Sequence, residues 1–124
     1  MQDPFIHLAA EDVPSIRLDA GSGVFEISGR SLPEDAAGFY GPAISWMLDY
    51  SRSPNKETVF VFRLEYFNTA SAKQLFKIMN ILQEIAKTSS VKVKWYYDKG
   101  DRDMLASGER YVRLTGLDFD LAEN

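Results

Sequence analysis

The sequence predicts a small α/β (α+β) fold, a mixed sheet of about five strands with helices packed mainly on one face. Two short alternating runs either side of Gly21-Ser22-Gly23 predict a hairpin. A nearly continuous apolar run, Thr58 to Tyr66, predicts a strand in the middle of the sheet. Segments of helical period then separate the remaining alternating runs, giving the order β-β-α-β-α-β-α-β.

Ser15-Ile16-Arg17-Leu18-Asp19 and Phe25-Glu26-Ile27-Ser28 are the hairpin strands. A glycine-rich loop that cradles phosphate leads into a helix, whereas this one leads into a strand, so a turn is the better account. Ser31-Leu32-Pro33-Glu34 has the spacing of a capping box, with Ser31 as the cap and Glu34 reaching back. The apolar residues from Ala36 to Leu48 suit a helix ending near Ser51, and Gly41-Pro42 predicts a kink there or two short helices. After the central strand, Phe67-Asn68-Thr69 breaks the run. Leu75, Phe76, Ile78, Met79, Leu82 and Ile85 then mark a helix from Ala70 to about Thr88. Val91 to Tyr97 alternates as a strand, Gly100 to about Leu114 suits a helix weakened by Gly108, and Gly116 suits its stop. Leu117 to Leu121 makes a last short strand. No repeat, low-complexity tract or linker divides residues 1–124, so one domain is expected.

Side chains alternate across a strand. Ile16, Leu18, Phe25, Ile27, Phe60, Phe62, Leu64, Val91, Val93 and Trp95 can therefore share one face, leaving Arg17, Asp19, Glu26, Ser28, Arg63, Glu65, Lys92 and Lys94 on the other. Such a mixed-sign face is expected to be solvated and to form cross-strand pairs.

Composition removes several function classes. The 124 residues include eight Phe, six Tyr and two Trp but no Cys, which excludes disulfides, thiolate catalysis and cysteine-bound zinc. The N-terminus does not read as a secretory signal, and no apolar run approaches the roughly 20 residues of a membrane span, so a cytoplasmic protein without membrane insertion is expected. A net charge of −4, with Lys and Arg scattered, argues against nucleic acid.

Chemistry has few places to reside. The single histidine, His7, has no catalytic motif around it and is expected to be structural or at the surface. Asp98, Asp101 and Asp103 lack calcium-loop spacing, and Asp101 or Asp103 as a helix cap accounts for them better. No phosphate-loop, dinucleotide or nucleophile-elbow motif is present, so neither a cofactor nor an enzymatic activity is expected. The remaining candidate is Glu65-Tyr66-Phe67-Asn68-Thr69-Ala70-Ser71-Ala72-Lys73, where the central strand passes to the long helix. Asn68 or Thr69 can cap that helix. A helix start also offers unpaired N–H groups and partial positive charge, so a phosphate on Thr69, with Lys73 one turn on, would be tolerated.

Leu64 to Lys73 resembles the signature of the SiaC family of bacterial regulatory phosphoproteins, and Ile27 to Ala36, with Phe39-Tyr40, Pro42 and Trp46, is similar to the same family. The resemblance implies a fold like that of anti-sigma-factor antagonists (STAS-like), with the phosphothreonine at Thr69. It further implies a kinase of the histidine-kinase-like ATPase type and a metal-dependent, PP2C-like serine/threonine phosphatase. The unmodified form would bind and activate a diguanylate cyclase, raising cyclic di-GMP and promoting aggregation or biofilm growth. Tyr66, Phe67, Asn68, Ala70, Ser71 and Lys73 would surround the acceptor and meet the partner. A second hydroxyl is expected after the threonine; the chain has Ala70 there, which concentrates modification on Thr69 and leaves Ser71 as a secondary candidate. The competing expectation is a constitutive assembly module that uses the charged sheet face or an edge strand, with Thr69 only a cap.

Overall fold

The computed structural model describes residues 2–124; Met1, the first residue of the segment read for a secretory signal, lies outside the described residues. The elements follow as β1 (Phe5–His7), β2 (Ser15–Asp19), β3 (Val24–Ser31), α1 (Ala36–Ser51), β4 (Glu57–Phe67), α2 (Thr69–Ala86), β5 (Ser90–Tyr97), α3 (Arg102–Thr115) and β6 (Asp118–Glu123). They form one six-stranded sheet in the order β1-β2-β3-β4-β5-β6. The expected count of about five falls short by β1, three residues too few to show a period, which are held by antiparallel pairing of Phe5 with Leu18 and His7 with Ile16.

β2 and β3 pair antiparallel, as the hairpin reading requires, and β3 through β6 are parallel. Each parallel pair is joined by one helix, and the strand order never reverses. Crossovers of constant hand between strands added always on the same side place every helix on the same face. The fold therefore has no reversal of strand order, the feature that opens a ligand crevice in doubly wound sheets.

All ten side chains assigned to the covered face are buried, from Phe60, Phe62 and Trp95 at 0% exposure to Val91 at 8%. They meet Tyr40, Met47 and Tyr50 of α1 and Leu75, Ile78, Met79 and Leu82 of α2 in one cluster. On the open face Arg63 pairs with Glu26 at 3.4 Å and stacks its guanidinium 3.7 Å above the Tyr96 ring, and Arg17 lies 3.8 Å from Asp19.

Two local expectations are corrected. Ser31 does not cap α1: it ends β3 with its side chain fully buried, and Asp35 is the cap, accepting from the Gly38 N–H at 3.0 Å. Nor does Gly41-Pro42 divide the helix; α1 runs unbroken from Ala36 to Ser51 with Pro42 inside it. Pro42 sits on the exposed side, where solvent can satisfy the carbonyl it leaves unpaired, and α1 buries Tyr40, Ala43, Trp46, Met47 and Tyr50 along its other side.

Gly108 is explained by packing. A Cβ there would lie 2.6 Å from Trp95 Cδ1 and 2.8 Å from Leu121 Cδ2, so only glycine lets α3 approach the sheet this closely. Gly116, at φ +66°, ends α3 in the left-handed conformation and donates to Val112 O at 2.9 Å.

Candidate functional site

The junction between β4 and α2 departs from simple alternation. Leu64 pairs with Gly29 but Tyr66 pairs with Arg30, so Glu65 is the extra residue of a bulge. Gly29, opposite the bulge, has φ +111°, a conformation L side chains rarely adopt. The bulge inverts the pattern of the strand end. Tyr66 turns out to solvent at 52% exposure, while Phe67 turns in and meets the Trp95 ring edge-on at 5.9 Å.

Asn68 is the cap of α2, its Oδ1 accepting from the Ser71 N–H at 2.8 Å, and its own N–H donates to Ser31 O at 3.0 Å. Thr69 is thus relieved of capping. It is the first helical residue and exposed, as are Ala70 and Lys73. As the first two residues of the helix, Thr69 and Ala70 have amides with no intrahelical acceptor, which leaves partial positive charge beside the hydroxyl.

Ser71 behaves in the opposite way. It is fully buried, its hydroxyl 2.8 Å from Ser31 Oγ and 3.2 Å from Ser31 O, and Ser31 Oγ lies 2.6 Å from Tyr40 Oη. One proton assignment satisfies all three contacts: Tyr40 donates to Ser31 Oγ, Ser31 donates to Ser71 Oγ, and Ser71 donates to the Ser31 carbonyl. Burial pushes the Tyr40 hydroxyl up to about 12, with the neighbouring Ser31 and Ser71 hydroxyls acting against the rise. The expectation of Ser71 as a partner-contact residue and secondary acceptor is therefore corrected, because its proton and its oxygen are both committed inside the fold. With Asn68, this chain of hydroxyls bolts the first turn of α2 to the end of β3 and to α1.

On the other side of Thr69 a groove of about 330 Å³ opens between α2 and α3, lined by Phe67, Thr69, Ala72, Lys73, Phe76, Ser107, Arg110, Tyr111 and Leu114. Tyr111 Oη donates to Ala72 O at 3.0 Å, tying α3 to the first turn of α2, and its ring stacks on Phe76 at 6.4 Å. Burial pushes the Tyr111 hydroxyl up to about 12, with the positive charge of Arg110 acting against the rise. The structure thus gathers Tyr66, Phe67, Asn68, Thr69, Ala70 and Lys73 at one end of the sheet and adds Arg110, Phe76, Tyr111 and Leu114 from elements that sequence reasoning did not connect with them. No sequence signal could have done so, since nothing in the spacing shows which side of α3 meets α2.

His7 is half-buried and packs edge-on against Phe39 at 5.0 Å. Asp101 is the cap of α3, accepting from the Met104 N–H at 3.0 Å. Among the described residues no three His, Asp or Glu side chains gather where they could hold a metal ion, and no helix is long and apolar enough to cross a membrane.

The exposed threonine at a strand-to-helix junction can be set beside known proteins. At 26% identity over 102 residues, 82% of this chain and 81% of the relative, the chain is similar to an uncharacterized protein of Pseudomonas aeruginosa. Its fold superposes on apo-SiaC from P. aeruginosa with a TM-score of 0.89 at 23% identity, covering 98% of this chain and 99% of the other. It superposes equally well, at a TM-score of 0.90 and 22% identity over 97% and 99% of the two chains, in the crystal structure of the P. aeruginosa diguanylate cyclase SiaD in complex with its activator SiaC. Identities this low speak to the fold, which is the same mixed sheet with three helices. Sequence speaks to the family: the model described as SiaC family regulatory phosphoprotein matches residues 8–124, from the end of β1 through β6, and the chain belongs to that family.

Proposed function

We propose that this protein is a regulatory partner switch with no chemistry of its own, residues 1–124 acting as one domain in the cytoplasm. In the unmodified form it binds and activates a diguanylate cyclase, raising cyclic di-GMP and favouring aggregation or biofilm growth. A kinase of the histidine-kinase-like ATPase type phosphorylates Thr69 and releases the cyclase; a PP2C-like phosphatase restores binding. The observation that carries the reading is the contrast within one helical turn: Thr69 is exposed and not needed as the cap, whereas Ser71 is sealed in the core. Family membership, and the complex that the P. aeruginosa SiaC forms with a diguanylate cyclase as its activator, support the choice of partner.

The physics of release is local. A phosphoryl group adds about −1.5 to −2 charges at Thr69. Covering that charge with a partner lacking matched cations costs several kcal/mol, and each ~1.4 kcal/mol is tenfold in affinity. The free amides of Thr69 and Ala70 and the Lys73 ammonium tolerate the same charge in the free protein, so no refolding is required.

The test is phosphopeptide mapping of protein from its native cell, paired with cyclase assays on the diguanylate cyclases of the same genome. Thr69→Ala is expected to lose all phosphate uptake while still activating its cyclase. Phosphate carried chiefly on another residue of that variant refutes the site. A set of cyclases indifferent to the unmodified protein refutes the partner.

A further inference from the structure

We infer that the groove between α2 and α3 is the docking seat for an amphipathic, acidic segment of the protein partner, and that the open sheet face is not. The inference deepens the partner-switch reading by naming the surface and the chemistry of what it takes. Phe76, Tyr111 and Leu114 provide an apolar floor, and Leu114 is 53% exposed with nothing covering it. Lys73 and Arg110 stand on the two walls, both exposed, and among the described residues no carboxylate lines the groove. Among the described residues neither cation is in an ion pair.

On the open face Arg63 is already engaged by Glu26 and Tyr96 and Arg17 by Asp19, while Lys92 and Lys94 sit directly across from Asp118 and Asp120 of β6. A protein of net charge −4 repels an acidic partner over most of its surface, so two unsatisfied cations beside apolar side chains give both register and selectivity. The groove volume of about 330 Å³ holds a few side chains, as expected where the apolar residues of an amphipathic segment dock between two helices. Thr69 lines the same groove. A phosphoryl group there draws Lys73 and Arg110 to itself and sets its own negative charge against the incoming carboxylates, so that modification and docking exclude each other.

The test places a photo-reactive phenylalanine analogue at Leu114, and separately at Lys92 on the open face, in the full chain in its native cell, and sequences the cross-linked peptides. The expected result is a cross-link from position 114 to a peptide with apolar residues at helical spacing and flanking Asp or Glu. Arg110→Glu and Lys73→Glu are each expected to reduce its yield about tenfold or more, and Lys92→Glu is expected to leave it unchanged. Arg110→Ala, which adds no repulsion, is expected to give a smaller loss. A cross-link only from position 92, a captured peptide without carboxylates, a cross-link to a second copy of this chain, or none from position 114 would overturn the proposal. A captured acidic peptide from a protein other than a cyclase would uphold the groove and sink the partner assigned above.

Discussion

Tyr40 and Tyr50 lie toward opposite ends of α1, and each anchors a small buried network of polar groups. Tyr40 meets Ser31 and through it Ser71; Tyr50 shares a 2.8 Å hydrogen bond with Thr58 Oγ1 and accepts from the Asn55 N–H at 3.0 Å, and Asn55 in turn donates to Ala20 O at 2.9 Å. The chemistry is the same, buried hydroxyls satisfying one another where water cannot reach. What they present to solvent is not. Beside the Tyr40 network sit an exposed threonine and, beyond it, an apolar groove with two free cations; around the Tyr50 network lies a hollow of about 470 Å³ lined by Gln2, Asp49, Ser53 and Asn55, with no Lys or Arg among the described residues that line it. A buried hydroxyl cluster is thus no mark of function by itself. At one end it fastens a loop, and at the other it holds still the turn on which a switch can be mounted.

Removing one member from each network is the strongest way to break this comparison. Ser31→Ala strands both the Tyr40 O–H and the Ser71 oxygen, and Thr58→Ala strands the Tyr50 O–H, so denaturant titration is expected to show losses of about 1–3 kcal/mol, larger for Ser31. Only Ser31→Ala is expected also to slow phosphate uptake at Thr69 and weaken cyclase activation. An equal effect of Thr58→Ala on the switch would erase the distinction between the two ends.

The helix caps sharpen the same point at smaller magnitude. Asn68→Ala and Asp101→Ala each remove a side-chain acceptor from a helix start, and each is expected to cost about 0.5–2 kcal/mol in thermal or chemical unfolding. Their stabilities are expected to fall alike, with the response at Thr69 altered in the Asn68 variant alone.

The mildest effect is that of pH. Burial holds Tyr40 and Tyr111 neutral up to about 12, whereas an unfolded tyrosine ionises near 10, so the folded state keeps protons that the unfolded state loses. Their contribution is intact below about pH 10 and is lost as pH rises from there through about 12. Melting temperatures measured across that window are expected to fall, and to fall less steeply in Tyr40→Phe; a variant as alkali-sensitive as the parent would show that the Tyr40 network is open to solvent.

Periodicity alone determined which strand residues face the helices up to the bulge in β4. The ten side chains assigned to one face of the sheet are all buried, because alternation in a strand and recurrence in a helix follow from backbone geometry that every residue obeys. Helix ends were legible to within a few residues for the same local reason, and Asn68, Asp101 and Gly116 act at the ends of α2 and α3 as short-range chemistry suggests. The position of Thr69 at a strand-to-helix junction was legible too.

What only the tertiary structure decided depends on groups distant in the chain. Ser31 matches a cap pattern, yet Tyr40 and Ser71 draw its hydroxyl into the core and leave capping to Asp35. Ser71 looks equivalent to Thr69 until packing assigns one inward and the other outward, and the bulge at Glu65 exchanges the roles of Tyr66 and Phe67. The groove is the furthest from sequence, since Lys73 and Arg110 become neighbours only when the Tyr111 hydroxyl fastens α3 to Ala72 and Gly108 lets that helix settle against Trp95. Local rules fix where a chain can bend and which side it hides; which distant side chains then share a surface is settled by packing, where each contact depends on all the others.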